Sequence, residues 1–242
     1  MIPGKVQSIE TFGSVDGPGV RFVLFLATCP FRCRYCHNPE TWTGRDATTM
    51  TADEVLRKAL RYRSYWGKEG GLTVSGGEPL NQIDFLLELF PLFKEKNIST
   101  CIDTSLANFT REGEWFAKFE KLMALTDILL VDIKEIDEKK HILLTGKTNR
   151  MVLDGLRYLS DIRKPIWIRH VLVPGYTDFD EDLLKTREFI DTLDNVQRVE
   201  VLPYHDLAKP KYEKLGIDYV LKDVLPPTKE RIDNARRILK AF

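Results

Sequence analysis

Residues 20–27 hold Phe22-Val23-Leu24-Phe25-Leu26, five apolar residues with no polar break. A strand with one wet face alternates, whereas a strand covered on both faces reads as a continuous run, so this segment belongs inside a parallel sheet flanked by helices. The rest of the chain repeats that theme. Thr51-Ala52-Asp53-Glu54 is a capping box, and Val55, Leu56, Ala59 and Leu60 continue it at helical spacing. A strand over 72–75 precedes a helical run over 85–93, in which Pro91 predicts a kink or an early break. The pattern then gives a strand at 99–102, a helix at 111–125 and a strand at 127–133. Helices at 138–144 and 150–162 follow, then a strand at 165–173, a helix at 180–193, a strand at 198–202 and a helix at 228–239. Residues 6–12 alternate loosely as a leading strand, and Asp16-Gly17-Pro18-Gly19 makes a turn before the first parallel strand.

Strand and helix alternate six times, which implies right-handed βαβ units and a parallel sheet. Six units fall two short of a closed eight-fold barrel. The expected fold is therefore α/β, a partial (β/α)6 TIM-like barrel with parallel strands, preferred over a doubly wound sheet. No Pro/Gly/Ser-rich linker interrupts the 242 residues, so residues 1–242 are read as one domain with a short N-terminal extension.

Lys+Arg and Asp+Glu balance at 36 each. That balance provides no global field for nucleic acid, and specificity must come from local sites. No apolar run reaches the roughly 18 residues of a membrane span, and the N-terminus has no apolar leader, so a cytoplasmic protein without nucleic-acid or membrane partners is expected. Four cysteines, three of them clustered, do not form the framework of a small secreted domain.

Those three lie in Thr28-Cys29-Pro30-Phe31-Arg32-Cys33-Arg34-Tyr35-Cys36-His37-Asn38, at the C-terminal end of the first parallel strand. Structural zinc takes four protein ligands, and electron-transfer clusters take four cysteines. Three cysteines in register without a fourth predict a metal centre with one open position. Core thiols, or a zinc knuckle completed by His37, are the competing readings of the stretch alone. Cys101, in an apolar setting 65 residues beyond Cys36, reads as a buried structural thiol.

In parallel α/β folds the loops leaving the strands converge, and chemistry gathers there. The unusual polar residues fall at that edge: Gly76-Gly77-Glu78, Asp103-Thr104, Asp132 with Lys134, Arg169 with His170 in the fifth parallel strand, and His205 after the sixth. Two glycines permit close approach of a ligand and Glu78 can accept from an ammonium. Asp132 follows Ile128-Leu129-Leu130-Val131 directly, and a buried carboxylate needs a partner or a cation. Gly146-Lys147-Thr148 is not a phosphate loop, because His141 stands where the required glycine would be. Lys139-Lys140 and Lys209-Pro210-Lys211 read as solvated faces, the latter beside His205 and able to frame the mouth of the site.

Cys29-x-x-x-Cys33-x-x-Cys36 with Tyr35 before the last cysteine resembles the signature of radical S-adenosylmethionine enzymes, and Gly76-Gly77-Glu78-Pro79 resembles their second motif. Asp16-Gly17-Pro18-Gly19-Val20-Arg21-Phe22, Tyr35-Cys36-His37-Asn38, Asp132-Ile133-Lys134, Trp167-Ile168-Arg169 and Leu202-Pro203-Tyr204-His205 together resemble the branch of that family that activates pyruvate formate-lyase, a glycyl-radical enzyme. The likeness spans essentially the whole chain.

The resemblance implies one 4Fe-4S cluster on Cys29, Cys33 and Cys36, with S-adenosylmethionine chelated at its open iron. Reductive cleavage would give a 5′-deoxyadenosyl radical that takes a hydrogen from a glycine of the partner. It also implies cofactor contacts from Tyr35, Cys36, His37, Gly76, Gly77, Glu78, Asp132, Ile133, Lys134 and His205, and a monovalent cation on Asp103, Thr104 and Asp132. Partner contacts fall to Asp16 and Arg169. Flavodoxin or ferredoxin is the implied reductant and the chain is expected to be monomeric. Activation of another glycyl-radical enzyme, or a non-catalytic electron carrier, are the alternatives. Where the family continues Asn-Gly after Asp-Thr, this chain has Ser105-Leu106, so the shape of that loop is open. The inserted cysteine-rich domain of some relatives is absent.

Overall fold

The structure, a computed structural model, describes residues 2–241. Its strands and helices run β1 (Gly4–Gly13), β2 (Arg21–Leu26), β3 (Thr48–Met50), α1 (Ala52–Leu60), β4 (Gly71–Gly76), α2 (Ile83–Lys94), β5 (Ser99–Thr104), α3 (Gly113–Leu125), β6 (Ile128–Asp132), α4 (Glu138–Thr145), α5 (Arg150–Asp161), β7 (Ile166–Leu172), α6 (Asp180–Ile190), β8 (Val196–Pro203), α7 (Lys209–Leu215) and α8 (Lys229–Leu239). Two compact units result, one of residues 1–30 and 40–130 and the other of residues 31–39 and 131–242.

In the first unit the strands lie in the order β3-β1-β2-β4-β5 and then the start of β6. β2, β4 and β5 are parallel in register, Leu24 opposite Val74 and Val74 opposite Ile102. β1 and β3 are antiparallel additions at the edge, β1 pairing with β2 and β3 with β1. The parallel arrangement expected of the βα units holds in the β2, β4 and β5 ladder, and this edge carries the leading strand β1 with β3 beside it. The three-residue β3 has no apolar run to announce it. Phe22, Val23, Leu24 and Leu26 are fully buried, as a strand covered on both faces requires.

α1 begins at the capping box, where the Thr51 hydroxyl accepts from the Glu54 N–H and the Glu54 carboxylate from the Thr51 N–H. Contrary to the expected break, α2 continues through Pro91 to Lys94. Pro91 forfeits the i→i−4 bond to the Leu87 carbonyl, and Phe90 and Phe93 on either side are wholly buried and hold the turn in place despite that loss.

The second unit takes the end of β6, then β7 and β8, which are parallel. α4 ends at Gly146 in the left-handed conformation (φ 80°). The Gly146-Lys147 segment is therefore a helix cap, its Lys147 carbonyl 2.7 Å from His141 Nδ1, and this explains physically why it is no phosphate loop. α7, absent from the expected elements, starts at Lys209-Pro210 with proline in its first turn.

Candidate active site

β2 ends at Leu26, and two residues later Thr28 adopts φ 76°. A β-branched residue rarely accepts that conformation, and three contacts impose it. The Thr28 N–H donates to the Thr41 carbonyl at 2.6 Å, the Thr28 carbonyl accepts from the Glu78 N–H at 2.8 Å, and Thr28 Oγ1 accepts from Asn81 Nδ2 at 2.9 Å. Cys29 follows at once, its N–H donating to the Trp42 carbonyl at 3.4 Å.

Gly76 and Gly77 make this approach possible. A Cβ on Gly76 would lie 2.3 Å from the Leu26 carbonyl oxygen, and one on Gly77 would lie 2.2 Å from that of Thr28. The group that needs two residues without Cβ is thus the backbone leading into Cys29.

Glu78 is held by groups of the protein itself. Its side chain is wholly buried: Oε1 accepts from Thr104 Oγ1 (2.6 Å) and the Leu80 N–H (3.1 Å), Oε2 from the Ser105 N–H (2.9 Å) and Ser105 Oγ (2.6 Å). Four donors within the protein thus occupy the carboxylate's acceptor sites. Burial pushes the Glu78 carboxyl up, against the downward pull of Ser105 and Thr104. Glu78 clamps the end of β5 to the turn after β4.

The clamp also settles the Ser105-Leu106 departure. Leu106 is buried and takes φ 54°, so the loop keeps a left-handed residue without a glycine, and Ser105 provides two of the four donors to Glu78. Asp103, half-buried, accepts from Ser75 Oγ at 2.7 Å.

Asp16 lies in the loop between β1 and β2. Its carbonyl accepts from Thr73 Oγ1 at 2.7 Å, and Thr73 Oγ1 in turn accepts from Arg21 Nε at 3.0 Å. Arg21 is fully buried and also donates to the carbonyls of Pro18, Glu69, Leu72 and Ser99 and to Ser99 Oγ. A guanidinium satisfied by neutral acceptors locks this loop onto the starts of β4 and β5. Cys101 is wholly buried on β5, as expected.

In the second unit, the residues from Phe31 to Asn38 rest on α4 and α7. The Arg32 and Arg34 N–H groups donate to the Thr145 and Leu144 carbonyls at 2.8 and 2.9 Å, so the residues on both sides of Cys33 are tied to the last turn of α4. Cys36 closes a turn onto the Cys33 carbonyl at 3.0 Å. Lys211 Nζ donates to the His37 carbonyl (2.9 Å) and Asn38 Oδ1 (2.8 Å). This anchor was missed in the sequence because Lys209-Pro210-Lys211 carries no helical pattern; its position beside His205 was the available signal.

His37 and His205 stack with ring centroids 4.0 Å apart. Burial, His205 and the Lys211 charge bring His37 down to about 4, so the ring is neutral near pH 7. His37 Nε2, His205 Nδ1 and the Tyr35 hydroxyl are buried with no hydrogen-bond partner. Lys134 Nζ lies 5.8 Å from the Tyr35 ring centroid.

Asp132, at the end of β6, accepts from Lys134 Nζ at 2.9 Å and from Arg169 Nε at 3.2 Å. Burial acts to raise the Asp132 carboxyl, but the two cations prevail and it lies below the usual range. Burial acts to lower Lys134, and Asp132, Tyr35 and Cys33 reverse it, so the ammonium is held charged. The expected partner of this carboxylate is thus a pair of side chains. Ile133 is buried and its N–H donates to the Arg169 carbonyl at 3.0 Å. His170 bridges the Ile133 and Thr177 carbonyls inside the unit.

Burial pushes the Cys33 thiol up to about 12, so bare Cys33 is neutral and becomes a thiolate only against a cation. Among the described residues none of the four cysteines is in a disulfide, and no three His, Cys, Asp or Glu side chains are gathered as a ready cage. The donor set nevertheless suits an iron-sulfur cluster: three soft thiols within eight residues, with Cys33 and Cys36 on a segment held by α4 and Lys211.

Residues 23–190 match the Radical SAM superfamily. The chain belongs to that superfamily, and its cofactors are a 4Fe-4S cluster and S-adenosylmethionine. Within it, the chain is 53% identical over 240 residues to the pyruvate formate-lyase-activating enzyme of Streptococcus mutans, covering 98% of this chain and 91% of that protein. It is 47% identical over 238 residues to the enzyme of the same name from Listeria monocytogenes serovar 1/2a, covering 98% and 96%. Among solved structures, a radical SAM methyltransferase from Sphaerobacter thermophilus superposes with TM-score 0.64 at 16% identity, over 91% of this chain and 63% of that one. A domain of a pyruvate-formate lyase-activating enzyme from Bacteroides vulgatus gives TM-score 0.58 at 24% identity, over 71% and 93%. These two likenesses establish the fold, the partial barrel of α/β units expected from the alternation. Among the described residues no helix is long and apolar enough to cross a membrane.

Proposed function

We propose that this chain activates pyruvate formate-lyase by taking a hydrogen atom from one glycine of that protein, leaving a glycyl radical there. The observation that carries the reading is 53% identity along 98% of the chain to an enzyme of that name. Cys29, Cys33 and Cys36 would hold the cluster. Tyr35, Cys36, His37, Gly76, Gly77, Asp132, Ile133, Lys134 and His205 would receive S-adenosylmethionine, with Glu78 supporting that site from behind. When bound, the two cofactors supply one-electron cleavage of a sulfonium bond and hence a carbon-centred radical.

The protein's own part is orientation and dryness. The unpartnered nitrogens of the His37–His205 stack and the Tyr35 hydroxyl are buried polar atoms available to a ligand. Lys134 and Arg169, charged and fixed by Asp132, would bind a carboxylate without reorganising. Asp103, Thr104 and Asp132 are the candidate holders of a monovalent cation. Asp16 and Arg169 are the candidate contacts to the partner's glycine loop. Residues 1–242 would act as one catalytic domain, a cytoplasmic monomer reduced by flavodoxin or ferredoxin.

The test mixes anaerobically reconstituted, reduced protein with S-adenosylmethionine and pyruvate formate-lyase and records electron spin resonance. A glycyl radical doublet is expected. 5′-Deoxyadenosine without the doublet would assign the chain to another glycyl-radical enzyme. Absence of both, with a reducible cluster, would leave a simple electron carrier.

A further inference from the structure

Gln82, in the first unit, follows Gly76-Gly77-Glu78 by one turn and is not among the cofactor contacts, yet both ends of its amide are engaged. Its Oε1 accepts from the Lys5 N–H at 2.7 Å, and its Nε2 donates to the Lys5 carbonyl at 3.1 Å and to the Ala27 carbonyl at 3.0 Å. The residue closes the short helical turn Pro79–Gln82, and α2 starts at the next position, the buried Ile83. The turn has a fixed base, because the Leu80 N–H donates to Glu78 Oε1.

Ala27 is wholly buried, so its carbonyl needs a donor inside the protein. That carbonyl and the Thr28 N–H belong to one planar peptide unit. Gln82 holds one end of the plane, and the Thr41 carbonyl holds the other, 2.6 Å from the Thr28 nitrogen. The next plane, of the Thr28 carbonyl and the Cys29 N–H, is held by the Glu78 N–H at 2.8 Å and the Trp42 carbonyl at 3.4 Å. With both planes pinned, Thr28 between them is kept at the φ of 76° that a β-branched residue otherwise avoids. Backbone groups make the other three bonds, and Gln82 makes its own from a side chain. The further bond from Asn81 to Thr28 Oγ1 holds the side chain and is open to solvent.

A strained residue persists only while its surroundings over-determine it. Thr28 returning to an ordinary negative φ would turn the plane that follows, and with it the direction of the Cys29 side chain. Thiolates hold a cluster only when they converge on it, and the groups that orient metal ligands matter nearly as much as the ligands. We propose that Gln82 is a positioning residue for Cys29, fixing the Ala27–Thr28 peptide so that the Cys29 thiol is presented to the cluster. Gln82 acts through Ala27 and Thr28 and not on the cofactors. This rests on the proposed place of Cys29 among the cluster ligands.

The experiment uses the full chain, reconstituted with its cluster and reduced with dithionite, as wild type, Gln82→Leu, Gln82→Glu, Thr28→Gly, Thr28→Gly/Gln82→Leu and Cys29→Ala. Iron release to a ferrous chelator and the electron spin resonance of the reduced cluster are recorded, and circular dichroism of the cluster-free chains reports folding. Leucine removes all three bonds, whereas glutamate keeps the acceptor for the Lys5 N–H and loses both donor bonds. Iron release should quicken about ten-fold in both Gln82 variants, with an altered resonance and the secondary structure kept. Glycine accepts a φ of 76° without support, so adding Gln82→Leu to Thr28→Gly should quicken release no further. That rescue separates positioning of Cys29 from attachment of β1, which a glycine at position 28 would not relieve. Wild-type iron release and resonance in a folded Gln82 variant would overturn the proposal. So would an equal effect of Gln82→Leu in both Thr28 backgrounds, which would leave Gln82 a support for the start of β1. Wild-type iron content and resonance in Cys29→Ala would instead defeat the assignment of Cys29 to the cluster.

Discussion

Replacing Glu78 by Gln keeps shape and volume and removes only acceptor capacity. The carboxylate accepts two backbone N–H groups, one on each oxygen, besides the hydroxyls of Thr104 and Ser105. A glutamine amide has one acceptor oxygen, and its NH2 must then face either the Leu80 or the Ser105 N–H. The hydroxyls can turn and accept from the amide, whereas a backbone N–H cannot. One buried donor is thus left unpaired whichever way the amide is placed, at a cost of about 2 kcal/mol. For a chain of this length that lowers the midpoint of thermal unfolding by about 4–8 °C. Glu78→Ala abandons all four donors and should cost about 3–5 kcal/mol, a large share of a typical folding free energy. The assay is circular dichroism of the anaerobic cluster-free protein, which separates the clamp from cofactor binding. An unchanged midpoint in Glu78→Gln would refute the clamp and return the side chain to the ligand.

Other perturbations follow from the same geometry. Burial brings Glu135 up to about 7 from an ordinary 4.5. The folded form keeps a proton the unfolded chain releases, so stability is full below about pH 4.5 and falls as pH rises through 7. Glu135→Gln should abolish that slope, about 1–3 kcal/mol between pH 5 and 8 in urea unfolding; parallel profiles would contradict it. Lys211→Met removes both bonds that hold His37 and Asn38. Calorimetric affinity of the cluster-loaded protein for S-adenosylmethionine should fall about ten-fold, or 1.4 kcal/mol, with the thermal midpoint nearly kept. Asp16→Ala should weaken activation of the partner protein and leave 5′-deoxyadenosine formation intact; equal loss of both would contradict the placement of Asp16.

The alternation of elements was legible because Phe22–Leu26 and Ile128–Val131 are apolar runs that only a sheet covered on both faces explains. The antiparallel edge was not, since β3 is three residues whose pairing with β1 is purely tertiary. The cysteine spacing and the strand-end positions of Asp132 and Lys134 could also be read directly. Local roles were harder. Glu78 beside two glycines looks like a ligand contact, and only the fold brings Thr104 and Ser105 onto it. Arg21 reads as a polar start to an apolar strand, and its burial depends on carbonyls up to 78 residues away. Lys211 reaches His37 across 174 residues, a distance at which no sequence pattern carries information.

The central claim is that Cys29, Cys33 and Cys36, and not Cys101, hold the cluster on which S-adenosylmethionine is cleaved. Single alanine variants of all four, reconstituted anaerobically, reduced with dithionite and assayed for 5′-deoxyadenosine, test it most directly. The account predicts no product from Cys29→Ala, Cys33→Ala or Cys36→Ala, and near wild-type product with about four irons per chain from Cys101→Ala. Product from any of the first three, or its loss in Cys101→Ala with the fold intact, would contradict it.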